Sequence, residues 1–257
     1  AKDYAWGGAK YNTGNGVILI GIADLINSIA AVKRLVYETE QVTMKELLQA
    51  LKHDFEGYDR IHRLCQRAPK YGNDDPYTDD IASEIFTFIA DEIESYQSKF
   101  GPMTAGILPV SGNTPFGLEV GALPSGRKAW TPLADGLSPS GGTDLKGPNA
   151  VMKSVASIPH ARYTQGTLLN MKLDPAMLAT ENGIQQLMAF LKSMCSLGVY
   201  HVQFNLVDQK KLLEAQKNPA HYRGLLVRVA GYTAYFVELG TDVQNEIIGR
   251  TVHRGVF

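Results

Sequence analysis

The stretch Leu226-Val-Arg-Val-Ala-Gly-Tyr-Thr-Ala-Tyr-Phe236 restricts the fold more than any other part of this 257-residue chain. It is β-branched and aromatic residues in near-continuous apolar order, which predicts a strand or strand pair buried on both sides. Such a strand must be covered by other layers. Gly231 interrupts it, and a glycine within a strand pattern marks a bulge or a close backbone approach. Arg228 also stands out, because a cation in an apolar strand has to be paired or hydrogen-bonded.

Around that stretch, helical and extended patterns alternate. Ile22, Leu25, Ile26, Ile29, Val32 and Val36 recur at helical spacing. Thr43-Met-Lys-Glu46 is a capping box that opens a second helix to about Phe55. A third helix runs from Tyr58 to Ala68, before Pro69. The acidic residues Asp74, Asp75, Asp79 and Asp80 lack the alternation of a calcium loop and suit a helix start near 78–80, with the helix reaching about Ser98. Ile107–Val110 reads as a short strand. Residues 111–148, crowded with Gly, Pro and Ser yet carrying Phe116 and Trp130, read as an ordered loop. Then come a helix near 149–157, a strand at 167–172, a helix at 182–196, a strand at 199–207, a short helix near 209–217, and a final helix from Asp242 to Arg250. Strands separated by helices give an α/β fold class.

Composition excludes several functions. A net charge of −1 offers no electrostatic basis for nucleic acid or an anionic membrane. No run reaches the roughly 18 apolar residues of a membrane span, and no signal peptide is recognisable. Cys65 and Cys195, without CxxC spacing or a partner His, read as reduced thiols packed in helical cores, which points to the cytoplasm and to no disulfide or metal site. Gly14-Asn-Gly16 lacks both G-x-G-x-x-G and the Lys-Ser/Thr of a phosphate loop. The opening Ala1-Lys-Asp-Tyr4, without Met and followed by scattered glycines, suggests the C-terminal portion of something longer.

Arg228-Val-Ala-Gly-Tyr232, followed by x-Ala-Tyr-Phe, resembles the radical-bearing segment of the glycyl radical enzymes, the pyruvate formate-lyase-like superfamily. Further segments recur in that family's order: Pro69-Lys-Tyr-Gly-Asn-Asp74, Gly126-Arg127, Pro132-Leu-Ala-Asp-Gly136 with Ser138-Pro139, Gly166-Thr-Leu-Leu-Asn170 and His201-Val-Gln-Phe-Asn205. The resemblance implies the C-terminal portion of a ten-stranded α/β barrel. Residues 1–148 would be the end of the catalytic barrel domain and 149–257 a glycine radical domain. Gly231 would carry the radical, since an unpaired electron on a backbone α-carbon spreads into both flanking amides only if that carbon flattens, and only Gly has no Cβ to crowd it. Apolar flanks would keep quenchers out. Arg228 and Tyr232 would support the radical loop, although Tyr232 and Tyr235 also fit as core aromatics. Leu108 would stand in a substrate-pocket wall, and His201 would be a satisfied core histidine.

The resemblance further implies no resident cofactor. An activating enzyme using S-adenosylmethionine and an iron–sulfur cluster would install the radical, and a Cys thiyl would then start the reaction. Neither Cys65 nor Cys195 lies in the family's Gly-Cys-Val-Glu-like segment, so the reacting Cys and Glu are expected on an N-terminal portion. The remaining partners implied are a second copy in a homodimer and a small-molecule substrate, in the cytoplasm or a bacterial microcompartment. The motif wording favours radical elimination, with residues 106–117 closest to choline trimethylamine-lyases. Glycerol or propanediol dehydratase, isethionate sulfite-lyase and a non-catalytic glycyl radical replacement subunit are the alternatives.

Overall fold

The computed structural model describes residues 16–98, 101–108 and 111–253. Strand β1 (Gly16–Ile18) leads into α1 (Ile22–Val32), which widens into a π-helical turn at Lys33–Glu38, and α2 (Met44–Lys52), α3 (Asp59–Arg67) and α4 (Pro76–Ser95) follow. A minimal hairpin of β2 (Gln97–Ser98) and β3 (Gly101–Pro102) precedes β4 (Thr104–Gly106) and α5 (Asn113–Glu119). After a long connection come α6 (Pro148–Ala156), β5 (Leu169–Leu173), α7 (Glu181–Ser196), β6 (Val202–Asn205) and α8 (Gln209–Lys217). The chain then makes β7 (Leu226–Arg228), β8 (Thr233–Tyr235), α9 (Thr241–Gly249) and β9 (Val252–His253). Among the described residues no helix is long and apolar enough to cross a membrane.

The frame is parallel. Strand β1 pairs with β4, and β5 pairs with both β6 and β9. A parallel bridge from Ile107 to Thr167 joins the end of β4 to the approach to β5. Parallel neighbours need crossover connections, and the helices supply them. The α/β class expected from sequence is therefore what the chain forms. Its main core gathers Ile26 and Ala30 of α1, Phe86 of α4, Ile107, Val155 of α6 and Met171 of β5. Separate clusters lie under α2 and α3 and between α8, α9 and the β7–β8 pair.

Local chemistry explains most boundaries. The Thr43 capping box forms as expected: Thr43 Oγ1 accepts from Glu46 N–H at 3.2 Å, and Glu46 Oε2 accepts from Thr43 N–H at 2.8 Å. Helix α4 begins two residues before 78, because Asp75 accepts from Tyr77 N–H and Pro76 fits the first turn. The expected strand at 107–110 is in fact Thr104–Gly106 plus the Ile107 bridge, with Pro109 and Val110 outside the described residues, as is Gly14-Asn15. Cys65 is buried as expected, with its thiol pushed up to about 11 by desolvation. Cys195 is not buried. It is exposed because the inward stripe of α7 runs through Leu187, Phe190 and Met194, one position away.

The connection 111–148 is ordered, and contains the helix α5 that its Gly and Pro content conceals. Two polar residues of α1 pin it. Buried Asp24 accepts from Ala134 N–H at 2.7 Å and from Ser140 Oγ at 2.6 Å, while Asn27 Oδ1 accepts from Tyr71 N–H and its Nδ2 donates to Ser140 Oγ. Arg127 donates to the carbonyls of Gly117, Val120, Gly121, Thr131 and Pro132. Gly136 (φ +58°) lets the connection lie on β5, where any Cβ would collide with the Leu168 carbonyl oxygen. Asp135 is thereby delivered beside Asn170, near the start of β5.

Candidate functional site

The Leu226–Phe236 segment is not a strand buried on both sides. It doubles back as the antiparallel pair β7–β8, with Leu226 opposite Tyr235 and Arg228 opposite Thr233. Val229 N–H donates to Tyr232 O at 2.9 Å and closes the turn. Gly231 sits in that turn at φ +87°, a conformation L-residues avoid and glycine accepts. Val227, Val229 and Phe236 point into the core against α8 and α9, and Ala230 is buried as well. Leu226, Gly231, Tyr232, Thr233 and Tyr235 are exposed in this chain, so Tyr232 and Tyr235 are not core aromatics. One face of the pair is covered, not two.

Strand β6 holds the turn with two amides. Side chains alternate along a strand, so Gln203 and Asn205 share a face. Asn205 Oδ1 accepts from Arg228 N–H at 3.2 Å, and its Nδ2 donates to Arg228 O at 2.7 Å. Gln203 Oε1 accepts from Arg228 Nε at 3.0 Å and from Gly231 N–H at 3.2 Å. Arg228 Nη1 donates to Thr233 Oγ1 at 2.9 Å, so this half-buried cation is hydrogen-bonded on both sides of the turn. His201 is exposed; its Nε2 lies 3.1 Å from Gln203 Nε2, and partial burial with the Arg228 charge lowers its pKa.

Helix α9 holds the same turn with charge. Arg250 Nη1 donates to Val229 O at 2.8 Å. Its other nitrogens meet Glu246 at 2.8–2.9 Å and Asp135 Oδ2 at 3.1 Å. Asn170 of β5 donates to the same Asp135 oxygen at 2.5 Å, while Asp135 Oδ1 has no hydrogen-bond partner. Burial, against the opposing pull of Arg250, raises the Asp135 pKa to about 6. Residues from four of the separated sequence segments (Asp135, Asn170, Gln203 with Asn205, and Arg228 to Gly231) thus converge on one turn.

Other expected residues fall elsewhere. The Tyr232 hydroxyl lies 2.8 Å from Ser111 Oγ, tying the turn to the connection after β4. Leu108 is half-buried, with its side chain against Gly166. It is not in the lining of the large cleft of about 750 Å³, which includes Asp24, Arg127, Asp135, Asn170 and Arg250. Cys65 belongs to the cluster under α2 and α3, apart from the Gly231 turn. Among the described residues no group of three His, Cys, Asp or Glu could hold a metal ion. Sequence reasoning missed Gln203, Asn205, Asp135 and Arg250. Two amides at alternate positions of a buried strand, and the i,i+4 pair Glu246–Arg250, were the available signals.

Comparison with known proteins identifies the family of the chain. A family model described as pyruvate formate lyase-like matches residues 1–117, and one described as glycine radical matches residues 133–237. The probable dehydratase YbiW of Escherichia coli (strain K12) is 44 % identical over 98 % of this chain and 32 % of its own length. An isethionate sulfite-lyase of Oleidesulfovibrio alaskensis is 41 % identical over 91 % of this chain and 29 % of its own. The glycerol-bound B12-independent glycerol dehydratase of Clostridium butyricum superposes with a TM-score of 0.94 at 41 % identity, covering 97 % of this chain and 32 % of that one. The chain thus spans about a third of the length of these relatives.

Proposed function

This chain belongs to the glycyl radical enzyme superfamily, with the α/β-barrel framework of that family, and from that premise we propose that Gly231 stores the radical of a lyase acting by elimination. The observation that carries the reading is the turn itself. A glycine at φ +87°, its amide nitrogen and the backbone of Arg228 and Val229 held by β6 and Arg250, is a backbone position prepared for one conformation. Residues 1–148 then form barrel wall and 149–257 the radical-bearing portion. The radical would arise when an activating partner, using S-adenosylmethionine and an iron–sulfur cluster, removes one hydrogen atom from the Gly231 α-carbon. Arg228 supports the loop through Gln203 and Thr233, and Tyr232 adds a weaker, solvent-near attachment through Ser111.

In the reaction we propose, the glycyl radical takes the hydrogen atom of a Cys thiol supplied from outside this sequence. The thiyl removes a hydrogen atom from a carbon bearing a hydroxyl, a base takes the hydroxyl proton, the neighbouring group leaves with its electron pair, and the product radical takes a hydrogen atom back from the Cys thiol. The relatives named above are dehydratases and a sulfite-lyase, which supports C–O cleavage of a small diol-like substrate ahead of the C–N cleavage of choline suggested by residues 106–117. Leu108 is retained as a pocket-wall residue of the whole enzyme, a homodimer on this reading.

The test starts from anaerobic activation of the whole polypeptide. A glycine-centred doublet in electron paramagnetic resonance is expected, and admission of air should cut the chain at Gly231, leaving a piece that begins near Tyr232. Unactivated protein should stay whole. Activated protein that survives air, or is cut at Gly224 or Gly240, would overturn the assignment. Offering glycerol, propane-1,2-diol, isethionate and choline to the activated enzyme separates the eliminations.

A further inference from the structure

Gly231 N–H is held by a side chain, not by the turn that contains it. Val229 N–H and Tyr232 O close the turn between themselves, and Gly231 N–H is directed at Gln203 of β6. Gln203 is 7 % exposed, and a buried carboxamide is costly unless its atoms are bonded. The two N–H donors facing one end, Gly231 N–H and Arg228 Nε–H, fix that end as the oxygen. The other end meets His201 Nε2 at 3.1 Å, which accepts when the neutral imidazole carries its proton on Nδ1, and the lowered His201 pKa favours the neutral ring.

Resting on the reading that Gly231 stores the radical, we infer that Gln203 is its positioning residue, setting the Ala230–Gly231 peptide plane through the Gly231 N–H. An unpaired electron on the flattened α-carbon spreads into that amide only when its orbital lies parallel to the peptide π-system. In the resting turn φ is +87°, away from that alignment, so the flattened α-carbon must turn about N–Cα to reach it, and a hydrogen bond to a buried, doubly occupied oxygen holds the amide plane fixed while it does. An acceptor on the N–H also leaves more electron density on nitrogen to share with the radical centre. Arg228 holds the Gln203 oxygen, and Asn205 holds Arg228 by its backbone N–H and C=O, so the plane is referenced to the sheet.

The experiment compares Gln203→Leu, Gln203→Met and Gln203→Glu with Gly231→Ala in the whole polypeptide after anaerobic activation. Spins per chain and radical half-life are read by electron paramagnetic resonance, and folding by thermal melting. Leu and Met lack the acceptor and should lower radical content or half-life about tenfold, the size of one hydrogen bond, with a melting temperature lowered by no more than that of Asn205→Leu, since exposed Gly231 N–H and half-buried Arg228 Nε can turn to water. Glu keeps an acceptor oxygen and should restore the signal. Should Leu fail to fold, Met and Glu decide. Wild-type spin and half-life in the acceptor-free variants, or a radical content that simply follows melting temperature, overturns the inference. Gly231→Ala separates the two claims. A glycine-type signal there overturns the radical-site reading itself, whereas a silent Gly231→Ala beside unaffected Gln203 variants overturns only the role of Gln203.

Discussion

The two sides of the Gly231 turn are held by opposite chemistry. On the β6 side, Gln203 and Asn205 bind Arg228 and Gly231 through neutral amides with directional bonds. On the α9 side, Arg250 reaches the Val229 carbonyl from between Asp135 and Glu246, all three largely buried. Amides fix angles and do not titrate. A buried ion cluster contributes strong attraction but carries a desolvation cost, so removing one member is far worse than never having had it. The amide side therefore sets the geometry of the turn, and the ionic side decides how firmly, and at what pH, the turn stays docked.

Gly231→Ala attacks what both sides share and has the largest effect: no radical and no turnover. Its effect on stability is separate. An added Cβ meets nothing within 4 Å, so no clash arises, but φ +87° is left-handed and should cost about 1–2 kcal/mol. Chemical denaturation of the unactivated protein measures that cost. A loss well beyond it would mean that the turn is packed more tightly than its exposure indicates.

Arg250→Met should be the most destabilising change short of unfolding. It leaves Asp135 and Glu246 facing each other without a cation, at about 3–5 kcal/mol for a broken buried ion cluster. Its counterpart on the amide side, Asn205→Leu, strands Arg228 N–H and C=O and should cost about 1–3 kcal/mol. Urea unfolding of both variants ranks the sides, and equal losses would erase the distinction between them.

Between pH 4 and 7 the ionic side should respond through Asp135, while the amide side responds only through His201, whose lowered pKa keeps it neutral beside Gln203 over more of that range. The Asp135 pKa is raised from 3.8 to about 6, so between those values the native state binds more protons than the unfolded chain. The contribution of Asp135 to stability therefore falls as pH rises through that window, by roughly 3 kcal/mol in all, and levels off above it. Asp79 is also raised to about 6, so the wild-type curve mixes the two. The difference between wild type and Asp135→Asn isolates the first. A difference curve that is flat from pH 4 to 7 would show Asp135 ionised throughout and the cluster cheaper than its burial suggests.

What the sequence made legible follows the range of the interactions. The Thr43 capping box, the α8 boundaries and the helical spacing of α1 depend on neighbours within a turn, and they could be read directly. Helix α5 was hidden because Gly112, Pro115 and Gly117 read as a loop, while its end is held by distant Arg127. The Gly231 segment was misread as doubly buried because its apolar order is continuous. The backbone reverses at the one residue able to take φ +87°, and then only alternate side chains turn inward. Motif segments indicated which stretches matter, but nothing in them says that Asp135 and Arg250 meet. That contact exists only once α1 has pinned the 111–148 connection against β5.

Tyr232→Phe is the smallest change and the one that limits the comparison to two sides. The Tyr232 hydroxyl and Ser111 Oγ are 2.8 Å apart, which by distance alone would make a third attachment for the turn. Both groups are near solvent, Tyr232 at 38 % exposure, so water replaces the lost partner and the net loss should stay near 0.5–1 kcal/mol. The ring remains, and with it the packing of the turn. Ser111 itself sits at φ +70°, an unfavourable conformation for a non-glycine residue, so the bond constrains the 111 connection at least as much as it constrains the turn. Radical yield should therefore be unchanged in Tyr232→Phe, with only a small shift in melting temperature. A loss matching that of Asn205→Leu, or a radical yield that drops with the hydroxyl, would mean that the 111 connection is a third holder of the turn and that the balance between amide and ionic sides is incomplete.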